Sequence, residues 1–199
     1  GRDGFYRGEI SAIIDRDSRE KGGYIRRSDL ENYEAIWRNP MALDYFGNKL
    51  MLPNGPSIGG AIMGVLLHYQ QVYDYDWLQT ILAFKRKRFG ITQIEKVFQQ
   101  IYPQLDYQLN SRHKAHNGTS HFNVVDSKGN AVALTCTIGE GSGYFIPGTN
   151  MQLNNMLGEA FLLPEGYHNW QSDTRLNSMM TPVMVLDKNN ALKFVCGSG

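Results

Sequence analysis

Apolar positions along the first hundred residues repeat at helical spacing. Residues 8–20 carry Ile10, Ile13 and Ile14 on one face, and Gly22-Gly23 end the pattern, which predicts an amphipathic helix. Ser28-Asp29-Leu30-Glu31 has the capping-box arrangement and predicts a second, short helix. After Pro40, residues 41–52 read as a strand pair turning at Gly47-Asn48. A glycine-rich bend over 53–60 leads into IMGVLLHYQQ, apolar nearly all round and therefore expected to be buried. Two more helices are predicted near 76–88 and 92–101.

The period changes at Gly118. Residues 119–126 alternate as a half-buried strand does, and Asp126-Ser-Lys-Gly-Asn130 has hairpin-turn chemistry. Residues 131–138 form the returning strand, apolar enough to be expected at the centre of a sheet. A glycine-rich loop (139–148), a polar segment (150–160) and a strand pair near 181–187 and 191–196 follow. Helices first and strands later suggest a layered α+β sheet, although this pattern alone leaves the fold open.

Composition narrows the function classes. The chain has 199 residues, 42% hydrophobic and 20% charged, enough for one sizeable core or for one domain of a larger protein. A formal net charge of +1 supplies no bulk field to attract nucleic acid or an anionic membrane. The basic cluster Lys85-Arg86-Lys87-Arg88 ends a helical pattern, where cations suit the helix dipole. No run approaches the roughly 18 apolar residues of a membrane span, and the first residues do not read as a signal peptide. Cys136 and Cys196 make at most one bridge and lie in apolar strand-like runs, so buried free thiols are expected. The sequence stops at Gly197-Ser198-Gly199, directly after an apolar strand, and is read as a piece of a longer chain.

The chemistry centres on Asn117-Gly118-Thr119-Ser120-His121. A threonine hydroxyl is a poor nucleophile without a neighbouring base. Breaking the peptide bond before Thr119 would create an α-amine with a pKa of about 7.7–8.0, tied to the same residue and able to take the hydroxyl proton. Gly118 would permit the backbone angles that an N-to-O acyl shift needs. The same residues also suit an ordinary turn entering a strand. His113, His116 and His121 lack a paired ligand at a known metal spacing and read as loop histidines. Asn117-Gly118-Thr119 is in addition a glycosylation sequon. Gly139-Glu-Gly-Ser-Gly143 resembles a phosphate cradle but has no Walker lysine after it.

Over a longer run, TSHFNVVDSKGNAVALTCTIGEGSGYFIPGTNMQLNNMLGE resembles the start of the small subunit of gamma-glutamyltransferases. DLENYEAIWRNPMALDYFGNKLMLPNGPSIGG, LNSMMTPVMVLD and VCGSG are similar to further segments of that family in the same order. The resemblance implies a four-layer αββα N-terminal-nucleophile hydrolase fold. It also implies a cut between Gly118 and Thr119, with 1–118 belonging to the large subunit and 119–199 to the small. The two pieces would form a heterodimer, open to further oligomerisation, with no metal and no organic cofactor. The partner would be a small-molecule γ-glutamyl or related amide.

Residue by residue, the resemblance makes Thr119 the nucleophile and Thr137 the second threonine that positions it. Asn177 and Ser178 stand where the family has two serines holding the substrate α-carboxylate. Glu159 stands at the acidic position that grips the α-ammonium. Gly197-Ser198-Gly199 opens the glycine loop whose later residues supply the oxyanion hole, with Gly199 beside the site. Asn154-Asn155 match a retained asparagine pair, read as structural rather than catalytic. Departures fall in the glutamyl pocket. Gly139 replaces an asparagine that contacts the head group, and Met156 replaces a glutamine or glutamate. The arginine that clamps the carboxylate falls upstream of residue 1. Expected functions are γ-glutamyl transfer or hydrolysis, a related hydrolase acting on another amide, or an uncut non-enzymatic binding relative.

Overall fold

The computed structural model describes residues 1–86, 91–101, 103, 118–159, 162–163 and 166–197, over 85–86 and 91–95 as backbone. The chain divides into two compact units, one built from 1–37 and 141–154 and the other from 38–140 and 155–199.

In the first unit, α1 (Arg2–Tyr6), α2 (Glu9–Glu20) and α3 (Arg27–Glu31) are followed along the chain by residues 141–154. Helix α2 has the expected extent, buries Ile14, and is followed by Gly22 at φ +74°. Helix α3 begins earlier than its sequence pattern suggests. The Asp29 carboxylate reaches back to accept the Arg26 backbone N–H at 2.7 Å, so Arg26 rather than Ser28 caps it. Asp17 is buried on α2 and accepts hydrogen bonds from the Tyr144 hydroxyl at 2.6 Å and from Lys21 at 3.1 Å. Desolvation, with the anionic partner Asp17, pushes the Tyr144 phenol up to about 12.

The second unit holds the main core. Strands β1 (Met41–Tyr45) and β2 (Asn48–Leu52) form a hairpin whose turn residues Phe46 and Gly47 both have positive φ, one place earlier than expected. Helix α4 (Ile58–Tyr73) buries its first turn and Gly64, Val65, Leu67 and Tyr69, while Val72 and Tyr73 at its end are exposed, so the burial expected all round is met in part; α5 (Trp77–Arg86) and α6 (Ile91–Ile101) lie near the expected ranges. Met41, Leu43, Leu52, Ile58, Ala61, Val65 and Phe98 form the core between sheet and helices. Gly59 lets α4 press onto the 179–181 segment: a Cβ there would overlap Met179 O and Thr181 Oγ1.

After residue 118 come β3 (Thr119–Val125), β4 (Ala131–Thr137), β5 (Val183–Leu186) and β6 (Leu192–Cys196). The main sheet has the antiparallel order β1-β2-β5-β6, so β2 pairs directly with a strand from beyond Thr119. Two aspartates build the turns that the sequence announces. Asp126 Oδ1 accepts the Lys128 and Asn130 amides, and Asp187 Oδ1 accepts those of Asn189 and Ala191. These bonds, with the Asn130 side chain the largest contributor, hold the Asp126 carboxyl below its usual range.

One expectation fails here. Strand β4 is not central: β3 and β4 form a two-stranded sheet of their own. Phe122, Val124, Val132 and Leu134 on one face are 44–60% exposed. Apolar composition records a capacity for burial; among the described residues no third strand pairs with β4. Cys136 shares that face and is exposed, whereas Cys196 is half-buried; both thiols are free. Burial pushes the Cys196 thiol pKa up.

Candidate active site

The alternation of β3 brings Thr119, His121 and Asn123 to one face, and the register sets Thr119 opposite Thr137 and His121 opposite Thr135. The ladder continues one residue further, where the Gly118 N–H donates to Gly139 O at 3.1 Å. The Thr137 hydroxyl donates to the Gly118 carbonyl oxygen at 3.2 Å and accepts the Gly139 N–H at 2.9 Å. The hydroxyl thus bridges the Gly139 amide and the carbonyl of the peptide bond preceding Thr119.

Gly139 sits at φ +65° and is enclosed. A Cβ built on it would overlap Glu159 Oε1 and Asn155 Oδ1. Asn155 holds this arrangement by donating its N–H to Ile138 O at 3.2 Å and accepting the Glu140 N–H on Oδ1 at 2.9 Å. Glu159 is 9% exposed, and its buried Oε1 has no hydrogen-bond partner among the described residues. Burial pushes its carboxyl pKa up, and the neighbouring Glu140 charge adds to the shift.

A separate set of bonds fixes Ser178. Ser178 N–H donates to Pro56 O at 3.0 Å, Ile58 N–H donates to Ser178 O at 2.9 Å, and Ser178 Oγ accepts the Met180 N–H at 3.0 Å. Ser57 Oγ donates to Met180 O at 2.8 Å, so the bend before α4 is the mould for this segment. Asn177 is 4% exposed and, with Leu157, Leu162, Leu163, Trp170 and Arg175, lines a cavity of about 560 Å³.

Direct contacts thus link Gly118, Thr137, Gly139, Asn155 and Glu159, with Thr119 at the head of β3, while Asn177 and Ser178 belong to the α4 entry. Ser198 and Gly199 lie outside the described residues, as do His113, His116 and the sequon's Asn117. His121 is a strand residue rather than a loop histidine. Among the described residues no three His, Cys, Asp or Glu side chains converge on a metal-sized site, and no helix is long and apolar enough to cross a membrane. Asn155 has a structural role, as read from the asparagine pair, whereas the mould formed by Pro56 and Ser57 was missed. The glycines around them were the available signal.

The architecture is the α+β fold of the N-terminal-nucleophile hydrolases. It superimposes on cephalosporin acylase from Bacillus halodurans with a TM-score of 0.70 at 20% identity, covering 97% of this chain and 40% of that one. The family model for gamma-glutamyltranspeptidase matches residues 1–88 and 84–199, and the chain belongs to that family. Glutathione hydrolase proenzyme of Pseudomonas aeruginosa is 28% identical over 190 residues, covering 78% of this chain and 34% of that protein. The Escherichia coli proenzyme is 27% identical over 194 residues, with 79% and 33% covered. The chain therefore spans about a third of the length of these relatives.

Proposed function

We propose that this chain is part of a self-cleaving γ-glutamyltranspeptidase-type enzyme whose nucleophile is Thr119. The observation that carries the reading is the Thr137 hydroxyl aimed at the Gly118 carbonyl oxygen, one peptide bond before Thr119. Thr119 Oγ attacks the Gly118 carbonyl carbon, and Thr137 stabilises the negative charge that develops on its oxygen. The C–N bond breaks, the hydroxyl proton passes to the departing nitrogen, and an ester joins Gly118 to Thr119 Oγ. Water hydrolyses the ester to a Gly118 carboxylate and a Thr119 with free hydroxyl and α-amine. Residues 1–118 and 119–199 then belong to separate polypeptides, and the β2–β5 pairing supports their staying together.

In turnover the α-amine takes the Thr119 hydroxyl proton, and the oxygen attacks the substrate amide. The leaving amine departs with a proton, and water or a second amine takes the acyl group. The loop from Gly197 supplies backbone N–H donors to the oxyanion. Glu159 suits an ammonium group, because its buried Oε1 lacks a partner among the described residues. Asn177 and Ser178 suit a carboxylate, the hydroxyl of Ser178 keeping its own proton to donate while it accepts from Met180. Glutathione-type γ-glutamyl compounds have both groups.

A second reading, a related hydrolase for another amide, is favoured by the absence of room for a head-group side chain at Gly139. The leucine- and tryptophan-lined cavity beside Asn177 also favours it. Self-cleavage in wild type, absent from Thr119→Ala, tests the first step. Comparison of γ-glutamyl and other acyl para-nitroanilides tests the second. A protein that stays uncut and leaves every amide untouched is the non-enzymatic relative instead.

A further inference from the structure

The cavity of about 560 Å³ has an apolar wall made by Leu157, Leu162, Leu176 and Trp170, and the buried Asn177 lines it as well. An apolar cavity of about 150 Å³ already holds a benzene ring, so this one has room for a ring and a linker. Asp173 and Arg175 are its charged wall residues among those described, one of each sign, so net charge is not what it selects. Its position relative to the candidate site is specific. Leu157 stands two residues before Glu159, and the Leu162 N–H donates to Glu159 O at 3.0 Å. Asn177 directly precedes Ser178. Thr119, Thr137 and Gly139 are not among its walls. The surrounding loop is tied down at several points. The Tyr167 hydroxyl donates to Gly158 O at 3.1 Å, and the Gly166 N–H donates to Leu163 O at 3.0 Å. His168 and Asp173, on either side of Trp170, hold left-handed backbone at φ +62° and +57°. The His168 and Trp170 rings pack with centroids 5.8 Å apart.

Resting on the reading above, in which Thr119 attacks the amide while Glu159, Asn177 and Ser178 hold the head group, we propose that this cavity is a subsite for the acyl half of the substrate. It takes an apolar group, a phenyl ring or branched alkyl chain, carried on the α-nitrogen of a γ-glutamyl amide. Contacts run in order from Thr119, through Gly139, to the Glu159 carboxylate that fills the space beside it. The cavity follows, among the neighbours of Glu159 and Asn177, at the end of the acyl group away from the scissile bond. An acyl half that stops at the head group leaves this leucine and tryptophan wall uncovered, and one that continues buries against it. An acylated α-nitrogen keeps one N–H to donate to Glu159 Oε1, so the head-group contact survives the loss of the ammonium charge.

The test uses the full-length protein with N-α-acetyl- and N-α-phenylacetyl-L-γ-glutamyl-para-nitroanilide, which are identical at the scissile bond and differ only at the far end. Apolar groups seated in an apolar pocket are typically worth 10-fold or more, so kcat/KM should be at least about 10-fold higher for the phenylacetyl compound. Leu157→Trp, at a wall position 43% exposed, fills the cavity and should bring that ratio close to one. Trp170→Ala removes part of the wall and should lower the ratio too, which guards against a failure of either variant to fold. Calorimetry on wild type supplies an arm without turnover, in which N-phenylacetyl-L-glutamate should bind about 10-fold more tightly than N-acetyl-L-glutamate. Equal kcat/KM for the two nitroanilides in wild type overturns the inference, as does a preference that both variants keep. A self-cleaved wild type that hydrolyses L-γ-glutamyl-para-nitroanilide but rejects both N-acyl compounds also overturns it, and leaves the Thr119 reading standing. If wild type neither cleaves itself nor hydrolyses any amide, the Thr119 reading has failed, and equal binding of the two acids then overturns the subsite separately.

Discussion

The Glu159 carboxylate occupies the space that a side chain on Gly139 would need. The two residues are twenty apart in sequence, yet the choice of residue at one fixes where the other can lie.

Gly139→Ala should therefore destabilise the protein by about 1–3 kcal/mol through overpacking. At roughly 2–4 °C per kcal/mol for a domain of this size, thermal unfolding resolves that loss. Glu159→Ala combined with Gly139→Ala should recover a measurable part of it, because one of the two overlaps is removed while that with Asn155 Oδ1 remains. Equal losses in the single and double variants would show that the two sites do not compete for space.

Glu159 has a raised folded-state pKa, so its contribution to stability is fully present below the ordinary carboxylate range. That contribution is lost as pH rises through the raised folded value. Glu159→Gln removes the desolvated charge and should gain about 1 kcal/mol near pH 8, a gain that vanishes near pH 4. The same variant should raise KM for a substrate carrying an ammonium group. Thermal midpoints of both proteins across this range, with one KM determination, check the pair of outcomes. A wild type more stable than Glu159→Gln at pH 8 would mean that the carboxylate has a partner there.

Thr137→Val keeps the shape of the side chain but removes the donor to Gly118 O. Loss of one such donor typically costs about 10²–10³ in rate, and self-cleavage should slow by about 10²-fold. A time course of precursor and product bands reads this directly. Cleavage at the wild-type rate would leave Thr137 a strand residue only.

The sequence makes local chemistry legible and leaves assembly obscure. Asp126 and Asp187 announce their turns because each builds its bend from its own neighbours. Helix α4 announces the burial of its first ten residues, which are all apolar or glycine, better than that of its exposed last turn. Strand β4 misleads, since burial needs a partner that its own residues do not specify, and Cys136 follows it to the surface. The cap of α3 shifts because Asp29 can reach Arg26 N–H while Ser28 and Glu31 also match a capping pattern. At the candidate site, Thr119 and Thr137 are legible as a pair through family resemblance, and their register sets them face to face. The substitution at Gly139 is visible in the sequence, but its packing against Glu159 is not, because twenty residues and a loop intervene. His121 reads as one of three loop histidines until the alternation of β3 separates it from the other two.

The central claim is that Thr119 cuts the chain at its own amino side. Intact mass under denaturing conditions, on the full-length protein beside a Thr119→Ala variant, tests it most directly. The account predicts two wild-type polypeptides meeting at Gly118 and Thr119, and a single uncut chain for the variant. A wild type that stays one chain after long incubation, or a variant that divides at the same bond, would contradict it.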